Sequence, residues 1–482
     1  MNERRRLKLL EILTREEIEV IHQNSLEILN DFGIKIYSRR ALEILQSSGA
    51  CIDYETKVAK IPDHLIEPTL KECPSSIRLC ARNPTNDLKI DGSRAYLCTD
   101  GTGTQTLDLM NGERRVSTKE DIVRTAILAD YLDGIDLYVP LVTPTDTPSN
   151  VRALHEFDAS MNNMEKHFVT ATTANANEAR YELEMAATIL GGREELLKTP
   201  MLSSITCPSS PLILGEQNTE VALLFGENNQ NVVVQPMPLI GITSPITLAG
   251  ALLLANIQFL ALATILQLNK PGTQIMYSSD PLAIYPKTGA FAGAFPDATL
   301  VAAASIQIAR NYKVSTFSSG WGATAKLPDA QASYEKSLSA LTCYLAGADI
   351  SNGAGLLDNW TALSYEQMII DHEIFSIIRH LLNGIGVSEG TMALDLIKKV
   401  GYEGHYMAEK PTLNHALQCW MPYITQTEDY NLWRVRGGKT ILQIANNKAK
   451  EIIANHKPNP LDRDIRKRLH EIIKDAEQNI PT

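Results

Sequence analysis

Residues 313–360 read KVSTFSSGWGATAKLPDAQASYEKSLSALTCYLAGADISNGAGLLDNW, and their pattern decides the fold. A β-branched and aromatic run, Val314 to Phe317, reads as a strand and breaks at Ser318-Ser319-Gly320-Trp321-Gly322. A helical pattern follows from Asp329 to Ala346, with Pro328 just before it and Gly347 just after, the usual start and stop signals. A second short strand, Asp349 to Ser351, then enters Asn352-Gly353-Ala354-Gly355. This is a strand–helix–strand unit whose strand ends carry small residues, an amide and a large aromatic. In a parallel barrel such ends face the active site. The plainer reading is that the glycines only turn corners and Trp321 only packs.

Working outward, strand-like runs begin near Ile135, His167, Met201, Asn231, Thr273, Lys313 and Ala348, thirty to forty-two residues apart, with a helix-competent segment between each pair. That spacing is the βα repeat, and seven repeats in a row predict an α/β fold, a (β/α)₈ TIM barrel, rather than an open sheet. The eighth strand is not evident; Gly384 to Val387 is one candidate. No GxGxxG follows the first of these runs, and Gly101-Thr102-Gly103 lacks the third glycine, so a dinucleotide fold has little support.

The barrel is expected over residues 118–400. Residues 1–117 read as an N-terminal α+β extension. Thr14-Arg15-Glu16-Glu17 is a capping box, helices follow from Ser38 and from Pro62, strands are expected at Ile77–Ala81, Leu88–Ile90 and Tyr96–Cys98, and a hairpin pairs Gln105–Met110 with Glu113–Val116. Its Asn111-Gly112 is the dipeptide a type I′ turn prefers. Residues 401–482 read as a helical and polar C-terminal region packed on the barrel, ending in an amphipathic helix from Leu461 to Ile480.

The bulk numbers narrow the class. A formal charge of −11 argues against a broad nucleic-acid or anionic-membrane surface. Seven cysteines form no C-x-x-C pair and read as reduced thiols in a cytoplasmic protein. The basic start, MNERRRLKLLEIL, is interrupted by charge before any apolar signal core. Ile246 to Leu268 carries no charge and is long enough to span a bilayer. It also holds Thr247, Asn256 and Gln258 between two strand-like runs, so a helix buried between the barrel and a neighbouring subunit is expected instead, in a homo-oligomer.

The predicted strand ends are Thr143-Pro144, Thr172-Thr173, Cys207-Pro208-Ser209, Met237-Pro238, Ser278-Ser279-Asp280, Ser319-Gly320-Trp321 and Asn352-Gly353. None presents the paired carboxylates of glycoside chemistry, and none carries a Schiff-base lysine; Lys326 lies beyond its loop. There is no H-E-x-x-H and no zinc-ligand spacing, and a site built from Cys98 and Cys207 is disfavoured, so no metal is expected. Ser210-Pro211, Ser244-Pro245 and Pro328-Asp329 open helices whose free N–H groups suit an anion, although capping alone explains each. Trp321, Trp360, Tyr277 and Tyr96 supply aromatic faces. A pocket poor in acid–base groups but lined with rings suits a quaternary ammonium group.

Three segments carry a family resemblance: Gln235-Pro236-Met237-Pro238 through Ser244-Pro245-Ile246-Thr247-Leu248-Ala249-Gly250-Ala251; Lys326-Leu327-Pro328-Asp329-Ala330-Gln331-Ala332-Ser333-Tyr334-Glu335-Lys336; and Gly347-Ala348 through Gly353-Ala354-Gly355, with Ser364-Tyr365-Glu366-Gln367. The chain resembles the trimethylamine methyltransferase superfamily, in the branch that lacks pyrrolysine and acts on quaternary amines. The likeness covers nearly the whole chain. It implies transfer of a methyl group to the Co(I) corrinoid (cob(I)alamin) of a separate carrier protein, with no cofactor held tightly by this chain. Only ordinary residues appear here, so the resemblance implies glycine betaine first, then proline betaine or carnitine, rather than trimethylamine. Substrate contacts are expected from Trp321, Asn352, Gln331, Tyr277, Ser278, Trp360 and Tyr96, in a site that works by positioning. The competing classes are another barrel enzyme, a lyase or metal-dependent hydrolase, and a betaine-binding protein without catalysis.

Overall fold

Eight short strands close into a parallel barrel in strict chain order. They are β1 (Tyr96–Thr99), β2 (Leu137–Tyr138), β3 (His167–Thr170), β4 (Leu202–Thr206), β5 (Asn231–Val234), β6 (Ile275–Tyr277), β7 (Ser315–Ser319) and β8 (Ile350–Ala354). The outer helices are α1 (Lys119–Tyr131), α2 (Arg152–Met161), α3 (Ala176–Leu190), α4 (Glu216–Glu227), α5 (Leu248–Asn269), α6 (Pro296–Asn311), α7 (Ala330–Ala346) and α8 (Tyr365–Leu382). The computed structural model describes residues 10–285, 287–294, 296–416 and 419–481. The basic run at residues 1–9 lies outside them.

The eighth strand is β1: the sequence marks Tyr96–Cys98 as strand but assigns it to the N-terminal extension, upstream of residue 118, whereas it closes the barrel, and Gly384–Val387 forms no strand. Its barrel role is masked because it is four residues long and a hairpin, Gln105–Leu107 with Arg114–Val116, separates it from its helix. In that hairpin only Gly112 takes a positive φ (76°) and Asn111 does not, so the turn is not type I′. Cys98 pairs with Leu137 on one side and Asn352 on the other, which shuts the ring.

The inward side chains Cys98, Val139, Val169, Val233, Met276, Phe317 and Ile350 form one apolar cluster. A hairpin, Ile77–Leu79 with Leu88–Ile90, adds Ile77, Leu79 and Ile90 to it and plugs the N-terminal end. The long apolar helix α5 is buried over 78% of its central window. The capped helix Arg15–Glu27, with Arg39–Ser47 and Asp63–Glu72, covers its outer side, so this chain itself does what a neighbouring subunit was expected to do. Beyond α8 the described residues form four short helices, α9 (Glu389–Met392), α10 (Leu394–Val400), α11 (Lys410–Ala416) and α12 (Tyr430–Val435). α13 (Ile441–Asn455) then returns to α8 and α1, and α14 (Arg463–Asn479) lays Leu469, Ile472, Ile473 and Ala476 on α3.

Candidate active site

Side chains alternate along a strand, so the positions two beyond the apolar layer also face inward. They are Asp100, Cys207, Gln235, Ser278, Ser319 and Asn352, with Asp280 one pleat further on. The contacts agree: Ser278 Oγ donates to Gln235 Oε1 (3.2 Å), and Ser319 Oγ donates to Asp280. The apolar interior is therefore capped at the C-terminal mouth by a polar layer holding two carboxyl groups from different strands. This corrects the sequence reading, which found no paired carboxylates because it placed β1 outside the barrel.

Burial governs the electrostatics of this layer. It raises Asp100 to about 6, against the Gly101 N–H (2.8 Å) and the nearby Asn352, Lys336 and Trp360, which favour the charged form. It raises Asp280 to about 7, helped by the charge of Asp100 and opposed by the Ser319 hydroxyl. Cys207 feels both carboxylates and is pushed up to about 12, mainly by burial, so it stays a thiol. Asn352 Nδ2, Trp360 Nε1 and Ser279 Oγ are buried and, among the described residues, reach no partner in full hydrogen-bond geometry, although Asn352 and Trp360 lie close enough to Asp100 to favour its charged form. Desolvated donors so loosely held are costly, and here they surround carboxyl groups with no cation, among the described residues, in the layer itself.

The elements behind the mouth are firmly held. Lys336 on α7 and Asp371 on α8 form a fully buried ion pair (2.9 Å). Lys336 Nζ also donates to the Gly353 carbonyl (2.8 Å), and Asp371 accepts from the Gly355 N–H (2.8 Å) and from Gln367 Nε2 (2.8 Å). The pair thus fixes the bulge where the β8–β1 register shifts between Asn352 and Ala354, and so aims Asn352. Gly353 has φ +128°, and a Cβ there would sit 2.5 Å from Trp321 Cβ; only glycine fits.

Over the rim, Asp358, Asn359 and Trp360 all take positive φ (50°, 53° and 64°), a conformation costing on the order of 1 kcal/mol per residue. Arg114 (2.7 Å) and Lys326 (2.9 Å) hold Asp358, and Asn359 Oδ1 accepts from the Gly293 N–H (3.0 Å). The result is that the Trp360 ring lies against Gly293, where a Cβ would sit 2.2 Å from it.

Of the residues predicted for the site, Asn352, Trp360 and Ser278 meet at the mouth. Trp321, on the loop after β7, is fully buried with its ring edge-on to Phe375 of α8 (6.4 Å between centroids), and its Nε1 has no partner among the described residues. Tyr277 points outward, as its alternation with the inward Met276 requires, and its hydroxyl donates to Asn256 of α5 (3.3 Å). Tyr96 lies at the opposite end of the barrel, donating to Lys89 O (3.1 Å) of the plug. Gln331 donates to Thr324 Oγ1 (3.0 Å) and Glu335 (2.9 Å) in the first turn of α7.

Outside the barrel wall, at the end of β3, lies a second acidic group. Thr172 donates to Glu156 and Thr173 to Glu182 (2.8 Å), while Glu178 accepts from the Ala174 (2.7 Å) and Ala153 (3.0 Å) N–H groups. Burial lifts Glu156 and Glu182 each to about 8. Among the described residues no group of three His, Cys, Asp or Glu is arranged to hold a metal ion.

Comparison with known proteins covers the whole chain. Residues 2–481 match the family model described as trimethylamine methyltransferase (MTTB). A trimethylamine methyltransferase of Desulfitobacterium hafniense (strain DSM 10664 / DCB-2) is 32% identical, over 96% of this chain and 93% of its own. A glycine betaine methyltransferase of D. hafniense (strain Y51) is 31% identical, over 96% of each chain. The crystal structure of Methanosarcina barkeri monomethylamine methyltransferase aligns with a TM-score of 0.55 at 11% identity, over 98% of this chain and 90% of that one, and so shares the fold.

Proposed function

The chain belongs to the trimethylamine methyltransferase family, and on that premise we propose that it takes a methyl group from a betaine-type quaternary amine and delivers it to the Co(I) corrinoid of a separate carrier protein. Glycine betaine is the first substrate to test, then proline betaine and carnitine. The observation that carries this reading is the pair of half-buried Asp100 and buried Asp280, whose layer itself holds no cation among the described residues, Lys336 lying behind it. A desolvated carboxylate of this kind favours a cationic ligand. Trp360 adds a ring beside it, and a ring attracts an ammonium group that has no proton to donate. Likeness to the glycine betaine enzyme supports the quaternary amine.

The chemistry asks little of protein acids. The N–CH₃ bond breaks with its electron pair remaining on nitrogen, and the methyl group passes to the partner's Co(I), which supplies the bonding pair. This chain's residues align that bond with the mouth. The nitrogen loses its charge as the methyl leaves, so an anionic site that gripped the ammonium too tightly would slow the step. Asp100 is mostly ionised at neutral pH while Asp280 is close to half protonated, which moderates that grip. The Asp280 proton can then follow onto the neutral tertiary amine, a stronger base than a carboxylate. Asn352 Nδ2 and Ser279 Oγ, which reach no partner in full hydrogen-bond geometry among the described residues, are donors for the remote carboxylate of a betaine.

The test is a panel of quaternary and tertiary amines incubated with this chain and reduced carrier, followed by the cobalt spectrum. Oxidation-state change with a betaine and none with trimethylamine is expected. Equal turnover of trimethylamine would sink the substrate assignment.

A further inference from the structure

We propose that the outer face of β3 and β4, where α2 and α3 cover it, holds a monovalent inorganic cation, sodium or potassium. Val169 and Ile205 pack with the barrel interior, so alternation turns Thr170, Ser204 and Thr206 outward. Thr170 and Ser204 lie opposite each other in the β3–β4 register, and Thr206 follows two residues on. Glu156 of α2 and Glu182 of α3 reach the same place. Thr172 donates to Glu156 and Thr173 to Glu182 (2.8 Å); with its proton so used, Thr173 accepts from Thr170 (2.8 Å).

What remains is oxygen. Glu156 Oε1, Glu182 Oε1, Ser204 Oγ and Thr206 Oγ1 are buried and, among the described residues, reach no partner in full hydrogen-bond geometry. The four residues are at most 3% exposed. Glu178 beside them is satisfied by the Ala153 (3.0 Å) and Ala174 (2.7 Å) N–H groups. Arg152 favours the charged forms of Glu178 and Glu156, yet its buried Nε has no partner among the described residues. Only the hydroxyls of Thr173 and Thr170 do the same for Glu182.

A shell made of carboxyl and hydroxyl oxygens suits a hard cation. Glu178 is already engaged, and no group of three ligating side chains forms among the described residues, so the shell matches a single positive charge. Without the ion, burial keeps Glu156 and Glu182 protonated up to about 8. The ion takes the place of one of those protons, and the charge of the chamber is unchanged by the exchange. Thr172 and Thr173 are half-buried, which leaves a way in past them.

Sodium NMR relaxation of the full chain, with sodium chloride added in Tris-HCl, tests this. Wild type should show a bound, fast-relaxing fraction whose affinity rises about tenfold from pH 6.5 to pH 7.5 as one proton is displaced. Potassium chloride should displace it, and magnesium chloride should not. Glu182→Gln should lose the bound fraction, whereas Asp100→Asn, at the barrel mouth, should keep it. The melting temperature of wild type should rise by several degrees over Tris-HCl of equal ionic strength, and that of Glu182→Gln should not. No bound sodium in wild type overturns the proposal and leaves the chamber to water. Loss of the signal in Asp100→Asn, its survival in folded Glu182→Gln, or displacement by magnesium overturns it as well. Should Glu182→Gln fail to fold, Ser204→Ala removes only a hydroxyl and should weaken sodium binding severalfold; unchanged affinity there refutes the site.

Discussion

The two ends of one barrel bury ionisable side chains and treat them in opposite ways. At the N-terminal end, Lys166 donates to the carbonyls of Ala129 (2.6 Å), Leu132 (2.7 Å) and Ile135 (2.6 Å), the C-terminal turn of α1 and the segment beyond it. His167 bonds Cys80 O (2.7 Å) and Ser203 Oγ (2.8 Å), and burial lowers it to about 4, so it is neutral. At the C-terminal end, half-buried Asp100 and buried Asp280 share a layer with no cation among the described residues, and the donors of Asn352, Trp360 and Ser279 reach no partner there in full hydrogen-bond geometry. Polar groups that complete each other hold a structure; polar groups left incomplete in a cavity hold a ligand.

The largest effect should come from the scaffold under the mouth. Lys336→Met strands the buried Asp371 carboxylate and frees the Gly353 carbonyl, which should cost about 3–5 kcal/mol in denaturant unfolding. Lys336→Met/Asp371→Leu should recover much of that stability but not the rate of methyl transfer, because Asn352 is no longer aimed.

The two tryptophans sharpen the comparison next. Trp360→Ala should weaken betaine binding by tens of fold, on the order of 2 kcal/mol, and Trp360→Phe should restore part of it. Trp321→Ala should instead lower the melting temperature and leave affinity, measured on folded protein, nearly unchanged. Interchanged phenotypes would move the ammonium site to Trp321.

A smaller effect concerns the glutamates beside β3. The folded chain keeps the Glu156 proton up to about pH 8, whereas the unfolded chain loses it near 4.5, so this group erodes stability as pH rises between those values. Glu156→Gln removes the erosion. Its melting temperature should exceed that of wild type by a few degrees above pH 8 and match it below pH 4.5; a gain independent of pH would contradict this origin.

Much of this architecture was legible because seven strands announce themselves by composition and by their spacing. The eighth, Tyr96–Thr99, is visible as a strand but not as part of the barrel, since it is four residues long and a hairpin rather than a helix follows it. A second signal was present and went unread. Asp100-Gly101-Thr102-Gly103, Ser319-Gly320-Trp321-Gly322 and Asn352-Gly353-Ala354-Gly355 repeat polar–Gly–x–Gly at three neighbouring strands, β7, β8 and β1. The glycines let backbone and side chains close up there: a Cβ at Gly101 would meet Val139 at 2.7 Å, and one at Gly320 would meet Ser351 Oγ at 2.4 Å. Alternation, applied strand by strand, would also have turned Tyr277 outward. The region from about Gly401 reads as polar helix because its exposed apolar residues, among them Tyr402, Met407, Met421 and Val435, are scattered over short helices and the segments joining them, which sustain no helical period.

The central claim is that an ionised Asp100 binds the ammonium group, and calorimetric titration of glycine betaine tests it most directly. In wild type, affinity should fall about tenfold between pH 7.5 and pH 5 as Asp100 takes up its proton near 6. Asp100→Asn should bind at least tenfold more weakly at pH 7.5 and lose most of that pH dependence, while His167→Gln, at the other end, should titrate like wild type. Undiminished binding by folded Asp100→Asn would contradict the account.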